Sequence, residues 1–197
     1  MTPSEKQLPH WADKCFKSID NRFWYYLIPK NASISFRSIG LFESNVWYPT
    51  EQMPPDAVTI LILRDPFERL ISAYQWDCKN PFEDLGGVIY SFEMYLQRLT
   101  KGLFTHTSVP QIDYIRSRNI VLEQVTEIMT VENLPVQFEK FKNKYGLSSC
   151  ALRFSNTSDL HAKNALRAKL LEPDNRQIFE RLYKEDIDLY NLYKKQI

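Results

Sequence analysis

The sequence predicts an α/β domain with a mostly parallel central sheet and helices on both faces. Two strand–turn–helix units carry this expectation, and the alternation continues along most of the remaining chain. The first unit opens on an unbroken apolar run, Phe23 to Ile28, of the kind that a strand buried on both faces requires. The second opens on another, Val58 to Leu63. Strands that alternate with helices are joined by right-handed crossovers, which make neighbouring strands parallel.

Taken in order, residues 1–22 read as a polar lead and 23–28 as strand one. Pro29, Lys30 and the short residues Asn31, Ala32 and Ser33 follow, then a helix that ends near Gly40. Residues 44–57, with prolines at 49, 54 and 55, read as a loop. Strand 58–63 is closed by Arg64; Asp65 is a favourable N-cap and Pro66 suits the first helical turn, so a helix spans 66–78. Phe67, Leu70, Ile71 and Tyr74 fall at i, i+3, i+4 and i+7 and form its buried face, with Arg64 and Ser72 off that face. Arg69 is expected to make a structural ion pair. Asn80-Pro81 and Gly86-Gly87 mark a break before a helix over 90–101. Residues 102–114 read as a loop leading into a short helix. Short strands near 119–122 and 127–131, a helix over 135–145, a strand near 150–154, a loop through 173 and a final helix over 174–193 complete the pattern.

The composition fits one globular domain over residues 1–197: 44% of residues are hydrophobic and 25% charged, and there are only 5 glycines. A formal net charge of +1 offers no general attraction to nucleic acid or an anionic membrane, so any anion must be held by a local cluster. The 3 cysteines are far apart and lack metal-ligand spacing, and no Asp, Glu or His cluster suggests a metal; reduced thiols in a cytosol-like compartment are expected. The N-terminal stretch has no apolar core for a signal peptide or an anchor, which predicts a soluble, cytoplasmic or intracellular chain without a membrane segment.

The chemistry lies where each apolar strand ends. A strand that stops at Lys30 and turns into a helix start directs free N–H groups and the helix dipole at one spot, and the lysine adds a full charge. In the second unit Arg64 ends the strand and Ser72 lies about 10 Å along the helix, a spacing that lets both grip one phosphate. Ligands of such folds bind outside the carboxyl ends of the strands. Two anion sites there call for a ligand with two separated phosphate-like groups.

These stretches resemble the sulfotransferases that use 3′-phosphoadenosine 5′-phosphosulfate (PAPS), the carbohydrate sulfotransferases above all. IPKNASISFR (28–37) is similar to their 5′-phosphosulfate loop, and RDPFERLISAY (64–74) to the pattern R-x-P-x-x-R-L-x-S-x-Y at every fixed position. Weaker echoes at 106–115, 132–134 and 179–191 extend the resemblance over roughly residues 23–193. It implies a P-loop-like three-layer fold and PAPS as donor co-substrate. It places the 5′-phosphosulfate on Lys30, Asn31, Ala32, Ser33, Ile34 and Ser35, and the 3′-phosphate on Arg64 and Ser72. The chain departs from the family at Ala32, where glycine is common, and at Ile34, where a hydroxyl is common; Ser33 and Ser35 flank the latter.

The resemblance further implies in-line transfer of a sulfuryl group to an acceptor hydroxyl, with a glycan as the expected partner and Lys30 as a catalytic residue. His106 is the expected general base, because the loop it occupies is where these enzymes often carry a catalytic histidine or glutamate. His10 lies in the polar lead and His161 beyond a strand end; Glu43 and Glu83 remain alternatives. Acceptor specificity is expected in the loops at 44–57, 80–89 and 102–114. Three other readings stay open: a P-loop kinase-like phosphotransferase, although G-x-x-x-x-G-K-[ST] is missing; a non-catalytic nucleotide-binding module; and a carbohydrate-recognition protein with a relict donor site.

Overall fold

The structure, a computed structural model, describes residues 14–43, 46–152 and 160–194. Its centre is a five-stranded mixed sheet of strands β1 (Lys14–Lys17), β2 (Phe23–Tyr26), β3 (Tyr48–Pro49), β4 (Val58–Leu63) and β5 (Glu127–Thr130), in the order β3-β1-β2-β4-β5. β2, β4 and β5 run parallel, with Phe23 opposite Val58 and Ile60 opposite Glu127. β1 pairs antiparallel with both β2 and β3. The parallel part is the part that alternation predicts; the antiparallel part comes from the supposed polar lead, which supplies β1, and from the expected loop at 44–57, which supplies β3. In KCFK the flanking lysines hide a short strand whose Cys15 and Phe16 are fully buried.

The period of two along β2 and β4 divides the core. Phe23, Tyr25, Leu27, Ile60 and Ile62 pack on one face with Phe36 of α1 (Ser33–Arg37) and with Phe138 and Phe141 of α6 (Leu134–Tyr145). Trp24, Tyr26, Ile28, Leu61 and Leu63 pack with Tyr114 and Ile115 of α5 (Gln111–Ser117) and with Leu189 and Tyr190 of α9 (Lys184–Tyr193). A third cluster joins Leu70 and Ile71 of α2 (Pro66–Lys79) to α4 (Phe92–Thr100) and α8 (Pro173–Leu182).

α2 begins as expected: Asp65 accepts hydrogen bonds from the N–H groups of Phe67, 2.8 Å, and Glu68, 3.2 Å. α4 is likewise capped by Ser91. Several boundaries differ from the sequence reading. No strand forms at 119–122, where Asn119 is left-handed and a 3-10 turn covers Leu122–Gln124. Residues 150–152 carry no strand, and the rest of that expected element lies outside the described residues. The supposed loop up to 173 contains α7 (Leu160–Leu171), of which only Leu170 is buried, so no broad apolar stripe announces it. The final helix is two, α8 and α9, parted at Tyr183. None of the described helices is long and apolar enough to cross a membrane.

Candidate functional site

A cleft of about 410 Å³ lies beyond the carboxyl ends of β2 and β4. Lys30, Ala32, Ser33, Ile34 and Ser35 line it from the first unit, Arg64 and Ser72 from the second, and His106 from the loop before α5. Eight of the nine residues expected to serve the ligand therefore share one surface. Asn31 does not: it is fully buried, and its Nδ2 donates to the carbonyl of Ile62, 2.7 Å, and to Gln111 Oε1, 2.6 Å. Its side chain holds the turn from behind.

The turn between β2 and α1 is unusual in having two non-glycine residues in the left-handed region, Lys30 at φ 67° and Ala32 at φ 55°. Each such residue costs roughly 1–3 kcal/mol and persists only where its surroundings over-determine it. Here they do. Arg69 Nε donates to the Pro29 carbonyl, 3.1 Å, and Arg64 Nη1 to the Lys30 carbonyl, 2.8 Å. Ala32, the N-cap of α1, makes no side-chain capping bond, so the first N–H groups of the helix have no partner of that kind. Ile34 is 45% exposed, which puts an apolar side chain on the cleft wall.

Gln111 ties the two units together. Its Oε1 accepts the Arg64 N–H, 3.0 Å, its Nε2 donates to the Arg64 carbonyl, 2.9 Å, and Asn31 reaches the same Oε1. Asp186 of α9 fixes Gln111 in turn by accepting the N–H groups of Gln111, 2.7 Å, and Ile112, 2.9 Å, so a buried carboxylate caps α5.

The site is cationic and partly dehydrated. Burial, helped by the nearby Arg64 charge, brings the Lys30 pKa down to about 8. Burial also lowers that of Arg64, whose Nε is buried without a hydrogen-bond partner. Lys30 Nζ lies 4.5 Å from the centre of the Trp76 ring, so the indole face supports the ammonium. Arg69 departs from expectation. Instead of a structural ion pair it makes the bond to Pro29; it is 1% exposed, and its Nη1 and Nη2 have no hydrogen-bond partner. The acid beside it on the helix, Glu68, is taken by Lys163 and Arg167 of α7, each at 2.7 Å.

His106 lines the same cleft. Its Nδ1 lies 2.5 Å from Asp84 Oδ2, which also accepts the His106 backbone N–H, 2.8 Å. A carboxylate on Nδ1 keeps the proton there and leaves Nε2 as the basic nitrogen. Nε2 is 4.0 Å from Glu83 Oε2, and Glu83 also accepts the Trp76 indole N–H, 3.3 Å. Burial opposes a charge on the ring, but the hydrogen bond and charge of Asp84 outweigh it and raise the His106 pKa above its usual value. Both carboxylates come from the single-turn helix α3 (Pro81–Asp84). Beneath the loop, buried Asp77 of α2 accepts from Tyr95, Thr105 and Thr107 and so fixes the segment that carries His106.

The alternative bases sit differently. Glu83 adjoins His106, whereas Glu43 accepts from Tyr48 and faces Lys17 at 3.7 Å. His161 is exposed on α7, and His10 lies outside the described residues. Sequence reasoning missed Asp84, Asp77, Gln111 and the cleft walls Arg37, Trp47 and Thr107. The Asp84–His106 contact spans 22 residues and the Gln111–Asn31 contact 80, so no local pattern signals either. Compared with models of known protein families, with curated proteins and with solved structures, the chain gives no match.

Proposed function

We infer that this chain is a sulfotransferase that moves a sulfuryl group from PAPS to a hydroxyl of an acceptor, with a carbohydrate as the acceptor class, on a P-loop-like three-layer scaffold. The observation that carries this reading is one cleft lined by both phosphate-type motifs and by His106. The residues suit a doubly phosphorylated nucleotide. Two cations, Lys30 and Arg64, line the cleft at the strand ends, with Arg69 buried behind them, and Arg64 Nε has no hydrogen-bond partner. Lys30 and the 32–35 backbone would hold the 5′-phosphosulfate, and Arg64 with Ser72 the 3′-phosphate.

The donor supplies the sulfuryl group and a bisphosphate leaving group whose bridging oxygen gains negative charge. Lys30, protonated and dehydrated, meets that charge in a setting where it is worth more than in water. His106 Nε2 accepts the acceptor's hydroxyl proton, while Asp84 keeps Nδ1 protonated and Asp84 and Glu83 together stabilise the imidazolium. Transfer of this type asks the protein for positioning and charge stabilisation more than for covalent chemistry.

The test pairs binding with turnover. 3′-Phosphoadenosine 5′-phosphate (PAP) is expected to raise the melting temperature well beyond AMP or ATP at equal concentration, and labelled sulfate to pass from PAPS to members of a glycan panel. A larger shift with ATP, accompanied by phosphate transfer, would replace the reading with a kinase. A PAP shift with no transfer to any hydroxyl acceptor would leave a nucleotide-binding module.

A further inference from the structure

Arg69 contributes nothing to the cleft wall, yet it is the most deeply buried cation on α2, 1% exposed, and the turn beside Lys30 leans on it. A planar trans peptide sets its C=O and its N–H on opposite sides. Arg69 Nε holds the Pro29 carbonyl, so the N–H of the same peptide, that of Lys30, points away from Arg69; Pro29 and Lys30 both line the cleft. Arg64 does the same to the next peptide by holding the Lys30 carbonyl, and the Asn31 N–H turns back to Ile28 O, 3.3 Å. Two arginines thus grip successive carbonyls of a turn that its left-handed residues would otherwise leave.

We propose that Arg69 is a positioning residue for the donor site: by holding the Pro29 carbonyl it fixes the Lys30 peptide with its N–H toward the cleft, ready for an anionic ligand oxygen. This rests on the donor-site reading above. The charge of Arg69 also helps to depress the proton affinity of Lys30, so the residue acts on the turn's shape and on its charge.

Two substitutions separate these effects. The Gln amide nitrogen and the Met terminal methyl occupy the same place along the side chain as Arg Nε. Arg69→Gln therefore keeps a donor for Pro29 O and loses the charge, whereas Arg69→Met loses both. Both variants leave Asp186 equally without the Arg69 charge. PAP is expected to bind Arg69→Gln at least tenfold more tightly than Arg69→Met, and the Lys30 amide resonance of ligand-free protein to move in the Met variant only. Equal affinities together with equal spectra would overturn the proposal.

Wild-type protein offers a measurement independent of the variants' folding. The Lys30 amide should exchange rapidly without PAP and at least tenfold more slowly with it; protection that is already complete without PAP would also overturn the proposal. Failure of wild type to bind PAP would sink the donor reading instead, and the Gln-versus-Met comparison of the Lys30 amide would still decide the role of Arg69.

Discussion

The two sides of the cleft are built by different means. The cationic side rests on two strand ends and the helices that follow them, and its cations occupy places set by local chain geometry. The histidine side, with His106, Glu83 and Asp84, comes from a single-turn helix and a loop, held in place by the Asp84–His106 bond across 22 residues and by the bond from Trp76 of α2 to Glu83. A rigid frame suits a ligand of fixed shape; a face of loops and short helices can be altered without disturbing the sheet.

If the two sides divide the work, variants should separate them, most sharply at His106. Loss of a general base typically costs about 10²–10⁴ in rate, so His106→Ala should lose at least a hundredfold in turnover while keeping wild-type PAP affinity. Transfer within threefold of wild type would move the base elsewhere, to Glu83 first. Next comes Lys30→Ala: removing one well-aimed charge-stabilising donor costs about 10²–10³ in rate. Near-normal turnover in that variant, with its fold intact, would remove Lys30 from the reacting centre.

A smaller effect is expected at Arg64. Charge-assisted hydrogen bonds contribute roughly 1.5–3 kcal/mol, so Arg64→Ala should weaken PAP about ten- to a hundredfold and hardly alter the weaker binding of AMP. Equal losses for both would assign Arg64 to the turn alone, through its bond to the Lys30 carbonyl.

The smallest effects appear in pH profiles. Turnover should rise with pH as His106 loses its proton, above the usual histidine value, and fall as Lys30 deprotonates near pH 8. Asp84→Asn removes the carboxylate that favours the imidazolium, so the rising limb should move to lower pH while the falling limb stays. An unmoved rising limb would mean that Asp84 only supports the loop. The Lys30 pKa in the folded protein lies below its ordinary 10.5, so between about 8 and that value the unfolded chain binds more protons. Ligand-free stability should therefore gain from this group as pH rises through that window, while PAP binding, which needs the ammonium, declines.

The cationic side was legible because its signals are local. Two continuous apolar runs, a lysine and an arginine at their ends, an Asp-Pro helix start and the α2 periodicity predict β2, β4, α2 and the cleft residues they carry. Periodicity did not reveal that Arg69 and Asp77 share the buried side of α2 with Leu70 and Ile71, since charged residues in a helix usually face water. β1 was hidden by its two lysines, and α7 by its narrow buried contact. Asn31 reads as a ligand residue because it lies between Lys30 and Ala32, which line the cleft; only the fold brings Ile62 and Gln111 to its amide and turns it inward.

Gln111 also sets a schedule for the chain. The two motifs are complete by Tyr74, but the glutamine that joins them comes 47 residues after Arg64, and the carboxylate that secures Gln111 lies another 75 residues on, in α9. During synthesis the cleft is therefore expected to mature late, although its walls emerge early. Pairings of such long sequence separation form slowly, because the intervening loops must close first. Retention on immobilised PAP would consequently report docking of α9 as well as the presence of the motifs, and a fragment that ends before Asp186 should pass through such a column.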